Sequence, residues 1–152
     1  MKFHIRLAEV YEVDELTDLV IRSKFHWNYD ARYRAPLRDL IRVSRKRVSA
    51  GDCWVAETDD GEKAAVCQLN PNSDPPHLDL LFVEPKFIGQ GAGTLLFENL
   101  LTECRHRGIA TFDMDADPNA TEFYLRKGGR IVGEFESTVV RGQLLPIIEI
   151  TL

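Results

Sequence analysis

The sequence predicts an α/β protein, with short strands alternating with helices along 152 residues. Three observations carry this. Residues 78–108 read as an apolar strand, a turn dense in glycine and an amphipathic helix, and residues 109–116 read as another strand. Residues 52–58 and 63–70 flank Asp59-Asp60-Gly61, a hairpin turn between two strands. Leu16, Leu19 and Val20, and again Leu96, Leu100 and Cys104, recur at helical spacing.

Taken in order, residues 4–9 alternate weakly and form a first strand. Val13-Asp14-Glu15 opens a helix, with Asp14 as N-cap and acids at the positive end. That helix decays near residues 23–27. Residues 36–48 predict a second helix with Leu37, Leu40, Ile41 and Val48 inward. Its outer face is basic, with Arg38, Arg42, Arg45, Lys46 and Arg47. Such a face is either solvated or a patch for a phosphate or an acidic partner. The hairpin follows, then a polar loop, residues 70–76, too short for a domain linker. In the strand 109–116, Ala110, Phe112 and Met114 face one way and Thr111, Asp113 and Asp115 the other. Asp117 is placed to cap a short helix with Pro118 at its first position, ending at Gly128-Gly129. Residues 130–137 and 144–152 are the last strands. Pro146 pushes the final one toward a sheet edge or a bulge, and an edge there leaves a homodimer open.

Composition narrows the function classes. Hydrophobic residues at 44% and charged residues at 28% are globular values. No apolar run is long enough to span a membrane, and Met1-Lys2-Phe3-His4 runs directly into strand-like sequence, so no signal peptide is expected. Net charge −5 argues against general nucleic-acid binding and is compatible with a cationic substrate such as an amine. Cys53, Cys67 and Cys104 lack metal-ligand spacing, so no metal is expected. They suit buried, reduced thiols in a cytoplasmic protein.

The chemistry lies in the glycine turn. Strand, glycine turn and helix hold phosphates, because glycine lets the backbone approach an anion and the first helical N–H groups lack intrahelical partners. A Walker loop needs Lys-Ser or Lys-Thr after its last glycine, and Gly93 is followed by Thr94-Leu95. A dinucleotide fingerprint spaces its glycines G-x-G-x-x-G, with an acid that Asp113 or Asp115 would supply, but here the run is Gly89-Gln90-Gly91-Ala92-Gly93. A third device fits better. Ile88-Gly89-Gln90-Gly91-Ala92-Gly93 resembles the coenzyme A loop of the GNAT acetyltransferases, Q/R-x-x-G-x-G/A, with Ile88 in place of the leading Gln or Arg. Asn119-Ala120-x-x-Phe123-Tyr124-x-x-x-Gly128 resembles that family's N-A-x-x-F-Y-x-x-x-G-F segment, with Gly129 replacing the last aromatic. Ser23-Lys24-Phe25-His26-Trp27-Asn28-Tyr29 is similar to its S-K-x-x-W-G-Y segment.

The resemblance covers the whole chain. It implies a single domain, 1–152, with the acyl-CoA N-acyltransferase fold: a mixed sheet of about six or seven strands flanked by about four helices. It implies two central strands, 78–83 and 109–116, that splay to admit the pantetheine arm of acetyl-CoA. Leu81, Phe82 and Val83 would line that arm, with Phe82 and Val83 pairing their backbone groups with it. Ile88, Gly89, Gln90, Gly91, Ala92, Gly93 and Thr94 would hold the phosphates. Asn119 and Tyr124 would complete the cofactor site, and Trp27 and Tyr29 would line an acceptor pocket. The implied reaction is acetyl transfer from acetyl-CoA to a primary amine, carried by a small molecule or a protein. Tyr124 would donate to the leaving sulfur. Asp79 is the best-placed base for the ammonium proton, with Asp113, Glu84 or a water chain as alternatives. A non-catalytic acyl-CoA-binding regulatory module on the same fold is the alternative function.

Overall fold

The computed structural model describes residues 2–26, 38–137 and 142–152. In chain order the elements are β1 (Phe3–Leu7), a 3-10 turn (Val10–Glu12), α1 (Val13–Phe25), α2 (Arg45–Ser49), β2 (Cys53–Thr58), β3 (Lys63–Asn70) and β4 (His77–Val83). A 3-10 turn (Pro85–Phe87), α3 (Ala92–His106), β5 (Thr111–Asp115), α4 (Thr121–Arg126), β6 (Arg130–Glu136) and β7 (Leu144–Thr151) follow. The strands form one mixed sheet in the order β1-β2-β3-β4-β5-β7-β6. β4 and β5 run parallel and the other neighbours antiparallel.

Helices cover both faces of the sheet. On one, α3 sets Leu96, Phe97, Leu100 and Cys104 against Trp54, Cys67, Leu69 and Phe112, with Tyr124 of α4 in the same cluster. On the other, Leu16, Leu19 and Val20 of α1 meet Val48 of α2 and Val55, Val66 and Leu80 of the sheet. Fully burying such a side chain contributes about 1.5–3 kcal/mol, so the two apolar layers fix the height at which α1 and α3 sit. Gly108, at φ +73°, ends α3 as its spacing predicts.

Four local expectations are corrected. Asp14 is not the N-cap of α1. The helix continues from the 3-10 turn with Glu12 as its cap, and Glu12 is buried because Arg6 and Lys63 meet its carboxylate at 2.7 and 3.3 Å.

The helix expected over 36–48 is broken. Residues 38–40 are helical, residues 42–44 are not, and α2 starts after Ser44, whose Oγ accepts the Arg47 amide. The break is stabilised from elsewhere: the Val43 amide donates to Thr17 Oγ1 (3.1 Å) and the Ser44 amide to Gln68 Oε1 (2.8 Å). Val43 is therefore buried, whereas Leu40 is 52% exposed. Leu37 lies outside the described residues. On the basic face, Arg38, Arg42 and Arg47 each meet a carboxylate, of Asp18, Asp39 and Asp52 respectively.

The last strand is not an edge. β7 lies between β5 and β6, so the edge that left a homodimer open is absent there. Pro146 is tolerated because its carbonyl accepts the Ala116 amide (2.9 Å) just past the end of β5. Carbonyl and nitrogen of one strand residue face the same side, so the missing N–H falls where the β5 ladder has stopped.

Asp117 does not directly precede α4, which begins at Thr121 with Ala120 as its cap. Asp117 instead holds the preceding turn, its carboxylate accepting the Asn119 amide at 3.0 Å.

Candidate functional site

The parallel pair β4–β5 is in register only at His77 and Asp113; beyond that rung the two strands part. A cleft of about 870 Å³ opens between them and continues to the start of α3. Its lining includes Asp79, Leu81, Phe82, Val83, Ile88, Gly89, Gly91, Ala92, Gly93, Thr94, Asn119 and Tyr124. Gln90 is not among these; its side-chain amide turns back to donate to the Lys86 carbonyl at 3.1 Å. Trp27 and Tyr29 lie outside the described residues.

At the mouth, the chain leaves β4, passes the 3-10 turn and enters α3 through Gly91 at φ +92°, a left-handed conformation that costs glycine nothing. The Leu95 amide makes the first helical bond, to the Gly91 carbonyl (3.0 Å). The amides of Ala92, Gly93 and Thr94 therefore end the helix without intrahelical partners, at the positive end of its dipole. Gly93 has a different role. A Cβ there would lie 3.2 Å from Val83 Cγ2, so glycine lets the helix start pack directly on β4.

One strand position sets the geometry of the cleft wall. Against β3, Gln68 pairs with Leu80 and Leu69 with Leu78, so Asp79 is an extra residue in β4. A bulged residue has no partner in the ladder and its side chain is re-aimed. Asp79 projects into the cleft and accepts from Gln68 Nε2 at 3.1 Å. Beyond the bulge, Glu84 donates its amide to Ala64 at 2.8 Å. By the alternation of an antiparallel ladder, Phe82 also faces β3, while Leu81 and Val83 turn their N–H and C=O groups toward the gap. The expectation that Phe82 offers its backbone is thus corrected to Leu81. The Phe82 ring packs toward α1, beneath Lys24 Nζ at 5.8 Å from its centroid.

Opposite β4, Tyr124 is 5% exposed, its ring 5.3 Å from Phe123 and 6.0 Å from Phe97 between centroids. Burial, then Cys67 and Asp117, raise its phenol well above the ordinary value, so the hydroxyl is protonated at neutral pH. It has no hydrogen-bond partner among the described residues. Gly129 follows closely: a Cβ there would lie 2.6 Å from Ile148 Cγ2 and 2.7 Å from the Tyr124 carbonyl. That crowding explains the glycine where the resembling segment carries an aromatic residue. Asn119 donates from its side chain to Asp117 Oδ1 at 3.1 Å.

Sequence reasoning missed two groups. Lys24 Nζ meets Asp117 Oδ2 at 2.9 Å, tying the end of α1 to the turn before α4. His77 Nδ1 lies 2.6 Å from Asp113 Oδ1, and its Nε2 3.6 Å from Asp115 Oδ2. Both pairs join residues distant in the chain; the one local signal was the charge itself, on α1, on β4 and β5 and in the turn before α4. Asp115 is held above its ordinary value, chiefly by burial, with His77 opposing and Asp113 and Asp79 adding. Glu84 is occupied differently. Arg22 clamps its carboxylate at 2.9 and 2.8 Å, which removes it as a base.

The cysteines are buried, and burial raises Cys53 to about 12 and Cys104 to about 11, so neither is a ready nucleophile. Among the described residues, no group of His, Cys, Asp or Glu is arranged to hold a metal ion, and no helix is long and apolar enough to cross a membrane.

The chain is similar to known proteins over most of its length. The family model described as an acetyltransferase (GNAT) domain matches residues 39–139. The chain is 32% identical over 138 residues to the peptidyl-lysine N-acetyltransferase YjaB of Salmonella typhimurium, covering 90% of this chain and 89% of the relative. It is 28% identical to YjaB of Escherichia coli over 90% and 88% of the two chains. The solution structure of apo YjaB from Escherichia coli superposes with a TM-score of 0.69 at 26% identity, covering 98% of this chain and 96% of the other. The crystal structure of the PaiA N-acetyltransferase of Thermoplasma acidophilum in complex with coenzyme A superposes with a TM-score of 0.79 at 15% identity over the whole of both chains. That likeness is one of fold.

Proposed function

This chain belongs to the GNAT acetyltransferase family, and from that premise we propose that it moves the acetyl group of acetyl-CoA to the side-chain amine of a lysine in a protein or peptide. The observation that carries the acceptor is the charge layout of the cleft. Helix N-terminal amides stand at one end, and Asp79 and Asp115 at the other. Asp79 lies four residues before Val83 on β4, about 13 Å at 3.3 Å per residue. A phosphate-bearing donor and an ammonium acceptor are drawn to opposite ends of such a cleft. That the two YjaB relatives are peptidyl-lysine N-acetyltransferases supports lysine over other amines.

The residues present fit the donor. The amides of Ala92, Gly93 and Thr94, with Ile88, Gly89, Gln90 and Gly91 shaping the turn, hold the phosphates. Leu81 and Val83 pair their backbone groups with the amides of the arm, as an added strand would. Asn119 and the side chain of Phe82 close its walls. When bound, acetyl-CoA supplies an activated acyl group. Asp79 accepts the proton of the incoming ammonium, since only the neutral amine attacks. Tyr124 donates its hydroxyl toward the departing sulfur. This activity is carried by one domain, 1–152, in the cytoplasm, where buried reduced thiols suit the compartment.

The test offers acetyl-CoA with three acceptors: a lysine peptide blocked at its N-terminus, a lysine-free peptide with a free N-terminus, and a polyamine. Mass spectrometry reads acetylation. Transfer to the blocked lysine peptide is expected; transfer confined to the polyamine or the free N-terminus would overturn the lysine assignment.

A further inference from the structure

His77 stands between two openings. It lines the cleft together with Asp79 and Asp115. It also lines a shallow recess of about 340 Å³ with Asn70, Ser73, Asp74, Pro75 and Asp113. Asp115 belongs to the cleft and Asp113 to the recess, and the imidazole bridges them, Nε2 toward Asp115 at 3.6 Å and Nδ1 toward Asp113 at 2.6 Å. An ionised carboxylate accepts only, so Nδ1 is the donor in its 2.6 Å bond to Asp113, while Nε2, 3.6 Å from Asp115 and outside hydrogen-bond distance, faces the cleft. Asp113 holds the ring in this tautomer, as a carboxylate does for a catalytic histidine.

The proposed reaction needs an exit for a proton. An ammonium and a thioester become an amide, a thiol and one proton. The C–S bond breaks, the C–N bond forms, the thiol keeps one proton, and the other must leave. We propose that His77 is the exit: it takes the ammonium proton on Nε2 from the Asp79–Asp115 side and releases the Nδ1 proton through Asp113 to the recess. The ring regains its starting tautomer once the products have left, when Nε2–H passes to water in the open cleft and Nδ1 takes a proton back from water in the recess, so that one proton per turnover reaches solvent. A slight rotation or a bridging water closes the 3.6 Å interval. The titratable groups around the imidazole are Asp113 and Asp115 on β5, Asp79 on β4 and Asp74 in the preceding loop. The shared enclosure that holds Asp115 above its ordinary value makes it a group able to carry a proton to Nε2.

This inference rests on the acetyltransferase reading, and its test separates the two. If the wild-type protein acetylates no amine, that reading fails. If it turns over, His77→Gln keeps a hydrogen-bonding side chain but cannot relay. Its kcat is expected to fall about a hundredfold, at the low end of what positioned proton transfer contributes. The KM for acetyl-CoA should stay near wild type, the acid limb of the kcat–pH profile should move, and added imidazole should restore part of the rate. Unchanged kcat and pH profile in His77→Gln would overturn the proposal. A second readout needs no turnover: nitrogen-15 NMR of the wild-type protein should show His77 protonated on Nδ1 with Nε2 bare. The opposite tautomer would also overturn it.

Discussion

Replacing Tyr124 by Phe removes one oxygen and almost nothing else. The ring keeps its contacts at 5.3 Å to Phe123 and 6.0 Å to Phe97. The hydroxyl gives up no hydrogen bond to the described residues, so the folding cost stays within about 0.5 kcal/mol, the usual range for a change that breaks no interaction. The kinetic cost is of another size. The raised phenol pKa keeps the proton in place for donation. A bond formed only as the sulfur gains charge lowers the transition state and not the ground state. General acid catalysis contributes about 10²–10⁴-fold, or roughly 2.7–5.4 kcal/mol at 1.36 kcal/mol per decade. Steady-state kinetics on the blocked lysine peptide should therefore show kcat reduced by that factor with the acetyl-CoA KM nearly unchanged. A melting temperature near wild type would show the fold intact. Wild-type kcat in Tyr124→Phe would refute the argument, because the ring then packs and its hydroxyl does nothing. The same residue gives a stability effect with a defined sign. Its folded pKa lies above its unfolded value of about 10, so its contribution is complete below pH 10 and is lost as pH rises toward the folded value. Tyr124→Phe should remove that alkaline loss.

Three further outcomes are expected. Gly91→Asp puts a side chain at φ +92° and a negative charge at the start of α3, so the rise in melting temperature produced by acetyl-CoA should vanish; a retained shift would move the phosphates elsewhere. Gly129→Ala should destabilise by about 1–3 kcal/mol, since its Cβ would sit 2.6 Å from Ile148 Cγ2 and beside the Tyr124 carbonyl, and denaturant unfolding measures this directly. Glu12 is held down to about 2, first by Arg6. Its contribution is present above its unfolded value of about 4.3 and is lost as pH falls from there toward 2. Glu12→Gln should therefore lower stability at neutral pH and flatten the acid limb of the stability curve; an unchanged limb would mean that other carboxylates govern acid unfolding.

What was legible in the chain was local. The strand of residues 78–83, the glycine turn and the stripe of Leu96, Leu100 and Cys104 each state their conformation within a few residues, and all were found in place. So was the hairpin around Gly61, because turn chemistry is written in adjacent side chains. The resemblance of Gly91-Ala92-Gly93 and Phe123-Tyr124 to one family rested on the same kind of signal, and the family match agrees with it.

Pairing decided the rest. Asp79 is an ordinary strand residue until β3 lies beside β4, and only the register Gln68–Leu80 then Leu69–Leu78 makes it a bulge aimed into the cleft. That same ladder turns the backbone of Leu81, not Phe82, toward the gap. The break before α2 depends on Thr17 and Gln68, 26 and 24 residues away from the groups they bind. His77 meets Asp113 across 36 residues and Lys24 meets Asp117 across 93, where no periodicity links the partners. β7 enters the sheet interior despite Pro146, because β5 ends one residue before the missing N–H would be needed. Side-chain period and turn chemistry are properties of neighbours along the chain. Register, strand order and the partners of buried charges arise only when distant segments share one sheet, and they set the geometry of this cleft.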